Sequence, residues 1–406
     1  MITFDTLRAD HLGGYGSAAN LTPNFDALAA NSVMYPDAYA PSSTTGPSHA
    51  TIFSGLHPNE HGVLKNGVPL SDDVVTISEI LKEQGYSTAA FVSSYAVKSH
   101  FRLDQGFDLY DEDFNFPRRR LGGYTIEAAS EWIAEQPNDK PWCVWVHLMD
   151  PHKPYKQPKE FLDPYITPDL TGHELAKASY NGAVAYTDSV LPGLLNSIRA
   201  QESAAGTLMA ITADHGELFG EKGYYGHGTN LYEDVVRVPL IFNHHSLSPQ
   251  IIDSSVVGLV DFSPTVLELL DVAHEVDMSG LSLVSNIKNG EQATRAVFMQ
   301  RRIFDEDSIA PILEEIGANV EGPQWSVVHN GYKIIVAPDI DETELYHLEN
   351  DPTEQHDLSE VKAESENLRR MQKILGDILE GQTLRASIDD LSAEVLQNLE
   401  QLGYAK

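Results

Sequence analysis

Five short stretches of this chain carry residue types that could do chemistry, and three of them lie where an apolar run gives out. Asp5 follows Ile2–Phe4, and Asp214-His215-Gly216-Glu217 follows Thr207–Thr212. His147, Asp150 and His152 close the run Trp142–Leu148. An adjacent Asp-His pair offers one hard oxygen and one imidazole, a donor mix that suits Mn2+, Zn2+ or Fe2+. In the fourth stretch, Ser42-Ser43-Thr44-Thr45-Gly46-Pro47-Ser48-His49-Ala50, glycine and proline force a tight turn just ahead of a helix-compatible segment. That turn sets the Thr45 hydroxyl at a helix's positive end, which favours both an alkoxide and an incoming anion. The fifth holds His227 between Gly226 and Gly228, with freedom to approach a substrate. Each stretch also has a plainer reading. An Asp after a strand caps a turn, Ser and Thr cap helices, an Asp-His pair can simply be hydrogen-bonded, and a glycine-flanked His can be a loop residue.

Bringing such residues together needs a scaffold, and the apolar pattern supplies one. Near-continuous apolar runs of strand length, as at Trp142–Leu148 and Thr207–Thr212, fit central parallel strands buried on both faces. Helical patterns alternate with them: Thr76–Gln84 closing on Gly85, Ile126–Glu135 after Thr125, Ser189–Arg199, and a helix capped by Ser263 with Pro264 in its first turn, running to about Leu270. Alternating strands and helices predict an α/β fold with a large, mostly parallel sheet flanked by helices, whose ligands bind beyond the carboxyl ends of the strands. After about Asn289 the pattern changes. Ala296–Met299, a hairpin over Trp325–Ala337 turning at Asn330-Gly331, and Leu345–Leu348 predict a small antiparallel subdomain, followed by helical patterns near 360–380 and 386–402. The expected division is 1–290 as the catalytic domain, 291–350 as the antiparallel subdomain and 351–406 as a helical arm. Asp104–Arg120 and Arg301–Pro323 read as irregular.

With 406 residues and 42% hydrophobic content the chain can bury a large core over two or three structural units. Its 60 acidic against 27 basic residues give a formal charge of -33, which disfavours nucleic acid and anionic membrane surfaces as partners. The same field repels an anionic substrate, so a site for one needs local positive charge. Cys143, the single cysteine, excludes an intrachain disulfide and reads as a buried strand thiol. No apolar run approaches the roughly 18 residues of a membrane span and no basic-then-apolar leader opens the chain, so stable membrane insertion is not expected. The chain as given reads as cytoplasmic. Met1–Phe4 reads as the tail of a longer strand, and a start further upstream would open a periplasmic or secreted location.

Taken in order, the motifs resemble the sulfatase family of the alkaline-phosphatase superfamily. Asp5-Thr6-Leu7-Arg8-Ala9-Asp10, Thr22-Pro23-Asn24, Pro47-Ser48-His49-Ala50, Gly55-Leu56-His57-Pro58 and His61-Gly62-Val63 match successive landmarks. Asp150-Pro151-His152-Lys153-Pro154-Tyr155, Asp214-His215-Gly216-Glu217, Arg237-Val238-Pro239-Leu240, Asp261 with Pro264-Thr265, Glu344-Leu345-Tyr346 and Asp351-Pro352 continue the series. The resemblance implies an alkaline-phosphatase-like sandwich and one divalent metal ion held by Asp5, Thr45, Asp214 and His215. It makes Thr45 the nucleophile and His152 or His227 the general acid. It sets Asn66 against the ester oxygens, and His49 stands at a further substrate-binding position.

Two departures from the family pattern matter. Sulfatases carry Cys or Ser followed by x-Pro-x-Arg, oxidised to formylglycine, whereas this chain reads Thr45-Gly46-Pro47-Ser48-His49. A threonine cannot yield that aldehyde, and His49 stands in the place of Arg, so no formylglycine is expected. Thr6 and His215 stand where many sulfatases have Asp and Asn, which lowers anionic oxygen and favours Mn or Zn over Ca. Lipoteichoic acid synthases and phosphoethanolamine transferases, which act on phosphodiesters, also pair a threonine nucleophile with an Asp and Asp-His set. The implied substrate is a small-molecule or saccharide anionic ester. Its ester group is a sulfate, or else a phosphate or phosphonate cleaved by a phosphodiesterase, phosphonate monoester hydrolase or phospho-group transferase. The rival class is a non-catalytic relative that keeps the metal pocket.

Overall fold

The short apolar segment Ile2–Phe4 becomes the central strand of a nine-stranded sheet, because every side chain in it is buried and both its edges are paired. The computed structural model describes residues 1–114, 119–201, 206–253, 255–316 and 318–382. Its strands are β1 (Ile2–Phe4), β2 (Val33–Tyr39), β3 (Ser87–Phe91), β4 (Leu109–Asp111), β5 (Trp142–Leu148) and β6 (Met209–Ala213). A two-stranded ribbon of β7 (Leu218–Phe219) and β8 (Tyr225–Gly226) follows, then β9 (Arg237–Asn243), β10 (Gln250–Ile251) and β11 (Val257–Gly258). The large sheet runs β10-β2-β9-β6-β1-β5-β3-β4, with β11 also on β2. All its pairings are parallel except the two that β9 makes with β2 and β6. A mostly parallel sheet flanked by helices is thus as the sequence predicts.

Alternation along the central strands sets the two faces. Thr3 and Trp145 meet the helix Thr45–Ser54, through the bond between His49 Nε2 and Thr3 Oγ1 at 3.0 Å and the contact of Trp145 with Phe53. Phe4 points the other way, into an apolar pocket shared with Leu191 of the helix Gly172–Ala200. That helix corrects the expected start at Ser189: it runs 29 residues and passes through Pro192. A proline there cannot donate to the carbonyl of Asp188, a defect that normally breaks a helix. Here Asn24 Nδ2 donates to Asp188 O at 3.2 Å and to Asp188 Oδ2 at 2.8 Å, so the orphaned carbonyl is satisfied from outside.

Other expectations shift in smaller ways. The helix expected from Ile126 begins at Gly122. Ser263 is not a cap, because the helix Phe262–Leu269 grows directly from a turn over Leu259–Asp261 and the Ser263 hydroxyl donates to Ile52 O at 2.5 Å. Cys143 is half-buried rather than enclosed. Regular structure appears in the two stretches read as irregular: β4 in the first and the helix Glu306–Ile316 in the second.

The small sheet is antiparallel, in the order β12 (Val297–Gln300), β13 (Trp325–His329), β14 (Tyr332–Ala337) and β15 (Glu342–His347). Asn330 and Gly331, at φ 49° and 75°, make the expected tight hairpin between β13 and β14. The helix Ser365–Gly381 lays Met371 and Leu375 against Phe298, Val327, Ile334 and Leu345 of this sheet. The helical pattern expected at 386–402 lies outside the described residues. Tyr39, Val236, Val297, Met299 and Val328 join the two sheets in one apolar cluster. Among the described residues no helix is long and apolar enough to cross a membrane.

Candidate active site

Parallel pairing of β5, β1 and β6 puts the residues just past their carboxyl ends side by side. Asp5 N donates to Leu148 O at 2.9 Å and Asp214 N to Phe4 O at 3.1 Å, so the sheet ladder itself sets the spacing of the two carboxylates. Ligand atoms of Asp5, Asp214 and His215 lie within 4.8 Å of one another, and all three residues are buried. His215 Nε2 is 3.6 Å from Asp214 Oδ2, 4.0 Å from Asp5 Oδ1 and 3.4 Å from the Thr45 hydroxyl.

These residues fit a divalent cation. Asp214 Oδ1 accepts the backbone N–H of Thr6 at 3.2 Å and of His215 at 2.7 Å, while Oδ2 has no hydrogen-bond partner. Burial pushes the Asp214 carboxyl up to about 8 against those bonds, and burial lowers the His215 imidazole. His215 Nδ1 lies 2.9 Å from Gly216 O and donates to it, which leaves the Nε2 lone pair facing the carboxylates. A convergence of acceptors with no donor among them is a cation's donor set.

Thr45 opens the helix Thr45–Ser54, whose first turn is held by Asn66: Gly46 N donates to Asn66 Oδ1 at 2.6 Å. A Cβ on Gly46 would lie 3.0 Å from that oxygen, so the close approach requires glycine. Asn66 Nδ2 is buried and has no hydrogen-bond partner, a donor left beside the first turn of this helix. His49 differs from expectation. Its Nδ1 is 2.9 Å from Thr45 O and its Nε2 3.0 Å from Thr3 Oγ1, so both ring nitrogens are taken up beneath the site and neither is offered to a substrate.

His227 lies on the rim, its ring 4.5 Å from that of His215 and 5.1 Å from that of His152. Glu217 accepts from His227 Nδ1 at 3.1 Å. Burial, followed by His215, Lys153 and Arg302, holds the His227 imidazole well below its ordinary value. His152 is fixed through its Nδ1 to Lys153 O, and Arg119 donates to His152 O and Pro154 O. Of the other residues at the end of β5, Asp150 turns away and accepts from Gly122 N at 3.0 Å at the start of a helix. His147 is fully buried with Nε2 4.0 Å from Asp5 Oδ2, outside the three-residue donor group.

Sequence reasoning gave no role to three residues that hold this arrangement. Arg8, 2% exposed, bonds Asp10, Glu221, Asp234 and the carbonyl of Glu217, tying the Asp5 loop to the Asp214 loop. Tyr180 donates to Thr6 O at 2.8 Å and accepts from Arg8 N at 2.8 Å, fixing Thr6 at a φ of 61°. Glu217 was visible only as a neighbour of the Asp-His pair. A cavity of about 420 Å3, lined by Met1, Trp142 and Cys143 among others, lies at the opposite, amino-terminal edge of the sheet and contains none of these groups.

Comparison with known proteins agrees with the geometry. The family described as Sulfatase matches residues 1–272, and N-sulphoglucosamine sulphohydrolase, C-terminal, matches residues 220–380. The choline-sulfatase of Rhizobium meliloti is 26% identical over 419 residues, covering 83% of this chain and 77% of that protein. The uncharacterized sulfatase YidJ of Escherichia coli is 22% identical, covering 87% and 81%. Among solved structures, BT4656 in complex with its substrate D-glucosamine-2-N,6-O-disulfate has a TM-score of 0.80 at 18% identity, covering 94% of this chain and 97% of that one. The phosphonate monoester hydrolase of Agrobacterium radiobacter has a TM-score of 0.77 at 18% identity, covering 93% and 94%. With two thirds of its length matched by one family and a strand-end site of the matching kind, the chain belongs to the sulfatase family of the alkaline-phosphatase superfamily and is a hydrolase of that family.

Proposed function

We propose that this chain hydrolyses a sulfate or phosphate ester through Thr45, with a divalent cation held by Asp5, Thr45, Asp214 and His215. The observation that carries the reading is the Thr45 hydroxyl at the first position of a helix, 3.4 Å from His215 Nε2 and beside two buried carboxylates. A bound cation supplies Lewis-acid charge to the Thr45 oxygen and the ester oxygens. Thr45 Oγ, its proton released to solvent, attacks sulfur or phosphorus, the ester bond to the leaving oxygen breaks, and His227 or His152 gives that oxygen a proton. Water then gives a proton back to that histidine as its oxygen attacks sulfur or phosphorus, and the bond to Thr45 Oγ breaks to restore Thr45. Asn66 Nδ2 and the helix terminus stabilise the equatorial oxygens, a role suited to donors fixed in advance. Residues 1–290 carry this chemistry, 291–350 form the antiparallel subdomain, and the arm begins at 351.

The nucleophile favours a phosphodiester or phosphonate monoester over a sulfate monoester. Thr45 stands where formylglycine chemistry needs Cys or Ser, so the hydrated-aldehyde route is closed to this chain. The test is kcat/KM for p-nitrophenyl sulfate and bis-p-nitrophenyl phosphate, on metal-stripped protein reloaded with Mn2+, Zn2+ or Ca2+. A diester preference with Mn2+ or Zn2+ supports the phosphorus reading, and a sulfate preference replaces it with sulfatase activity lacking formylglycine. Inactivity on both esters with every cation would favour a binding protein that keeps the pocket.

A further inference from the structure

Beneath the proposed site a line of polar bonds crosses from the large sheet to the helix that carries Thr45. The helix Thr45–Ser54 is buried along its whole length and rests on β1 and β5, with the Phe53 ring 4.7 Å from that of Trp145. Apolar packing alone specifies such a contact loosely, whereas a satisfied set of hydrogen bonds fixes one arrangement. Trp145 Nε1 of β5 donates to Thr3 Oγ1 of β1 at 2.8 Å, and Thr3 Oγ1 lies 3.0 Å from His49 Nε2 of the helix. His49 Nδ1 lies 2.9 Å from Thr45 O, one turn back. The two ends of this line give it a direction. A carbonyl oxygen can only accept, so His49 carries its proton on Nδ1, and an indole nitrogen can only donate, so Thr3 Oγ1 accepts from Trp145. Burial holds the His49 ring down to about 3 and therefore neutral, which leaves Nε2 to accept the Thr3 hydrogen. A single tautomer of His49 satisfies both ring nitrogens, the Thr3 hydroxyl and the Trp145 indole.

The line ends at the residues of the proposed chemistry. Thr45 carries the hydroxyl 3.4 Å from His215 Nε2, and His49 Nδ1 is also 3.7 Å from Asp214 Oδ2. Thr3 stands two residues before Asp5. We propose that His49 is a positioning residue, locked in its Nδ1–H tautomer by Thr3 and Trp145, that aims the Thr45 hydroxyl at the cation site. The assignment rests on the reading of Thr45 as nucleophile and cation ligand. Asn66 holds the same turn through the Gly46 amide, so loss of the His49 bond leaves the turn formed with one tether instead of two. An arginine in this place, as in the family pattern, has no acceptor atom and could not take the Thr3 hydrogen, so the line belongs to a chain with histidine here.

The experiment is a double-mutant cycle read as Mn2+ affinity by titration calorimetry on metal-stripped protein, which requires no turnover. Thr45→Ala is expected to weaken Mn2+ binding about tenfold in the parent and less than about twofold in a His49→Leu background, because a hydroxyl no longer aimed at the cation contributes little. His49→Asn keeps a donor in the place of Nδ1 and should restore most of the difference, which a merely structural role would not require. Thr3→Val keeps the outline of Thr3 without the hydrogen that fixes the tautomer, so it should act like His49→Leu, while Thr3→Ser should act like the parent. Nitrogen NMR of isotope-labelled histidine, assigned through His49→Asn, should place the proton on Nδ1 in the parent and move it in Thr3→Val. An equal Thr45→Ala effect in the parent and in the His49→Leu and Thr3→Val backgrounds, no effect in the parent, no Mn2+ binding by the parent, or a parent ring protonated on Nε2 alone would overturn the assignment. The expected cycle in a protein that hydrolyses neither p-nitrophenyl sulfate nor bis-p-nitrophenyl phosphate would instead overturn the proposed reaction and leave His49 in place.

Discussion

The floor of the site and its wall are built by different means. On the floor, Asp5 and Asp214 each follow a central strand by one residue, and backbone bonds to Leu148 and Phe4 fix them. On the wall, His227, Asn66 and Arg302 come from loops whose positions depend on side chains: Glu217, the Gly46 amide, and the Arg301 contacts with three carbonyls. A sheet ladder shares its cost over many backbone bonds and tolerates the loss of any one. A loop held by one ionic cluster does not. The floor should therefore govern whether chemistry happens, and the wall which ester is taken and how firmly the two sheets stay together.

The largest expected effect is on the floor. Thr45→Ala should lower single-turnover rates by about 10⁴-fold or more while leaving cation content after dialysis above that of Asp214→Asn, which removes an anionic ligand rather than a neutral hydroxyl. Equal cation loss in both variants would show that the hydroxyl and the carboxylates do not act as separate parts. Next comes the rim: His227→Gln should lower kcat by roughly 10²–10⁴-fold, with a smaller loss for leaving groups of low pKa, which need no proton. Glu217→Gln should follow the same leaving-group pattern more weakly. A loss independent of leaving group would move the proton to His152.

The contrast also explains what the sequence made legible. Continuous apolar runs announce central strands, and a titratable residue just past such a run announces a strand-end site, so Asp5, Asp214 and His215 could be found without a structure. The wall carries no such period. Glu217 and His227 were both in view but their pairing across ten residues was not, and Arg302 lay in a stretch that read as irregular. His49 was placed at a substrate because of its position in a motif, while two hydrogen bonds hold it under the helix. The helix expected from Ser189 begins at Gly172, and Pro192 sits inside it because Asn24 satisfies Asp188, a distant group that sequence spacing does not reveal.

A joint between floor and wall supplies the third test. Lys333 of β14 is fully buried and pairs with Glu233 at 2.8 Å and Glu354 at 2.9 Å, linking the small sheet to the segment that follows His227. Removing one member of a buried cluster leaves uncompensated charge, so Lys333→Met should cost about 3–5 kcal/mol by denaturant titration. Where the variant is still folded, KM should rise more than kcat falls. A fall in kcat alone would mean that this joint sets the floor as well.

The smallest effect lies in the same cluster and is read by pH. One lysine faces two carboxylates, and burial, with Glu233 opposing and Lys333 assisting ionisation, raises the Glu354 carboxyl to about 7. Between the ordinary glutamate value of about 4.3 and that point, the folded protein holds a proton that the unfolded chain has released. The native state then binds more protons, so stability should fall as pH rises across this window, by roughly 1–3 kcal/mol. Lys333, whose own value is raised, stays charged throughout and contributes no slope there. Glu354→Gln keeps the shape without the titration and should flatten this part of the curve of melting temperature against pH. An unchanged slope would place the proton elsewhere and leave the cluster ionised throughout, in which case the small sheet is held to the floor by charge alone and salt, rather than pH, should loosen it.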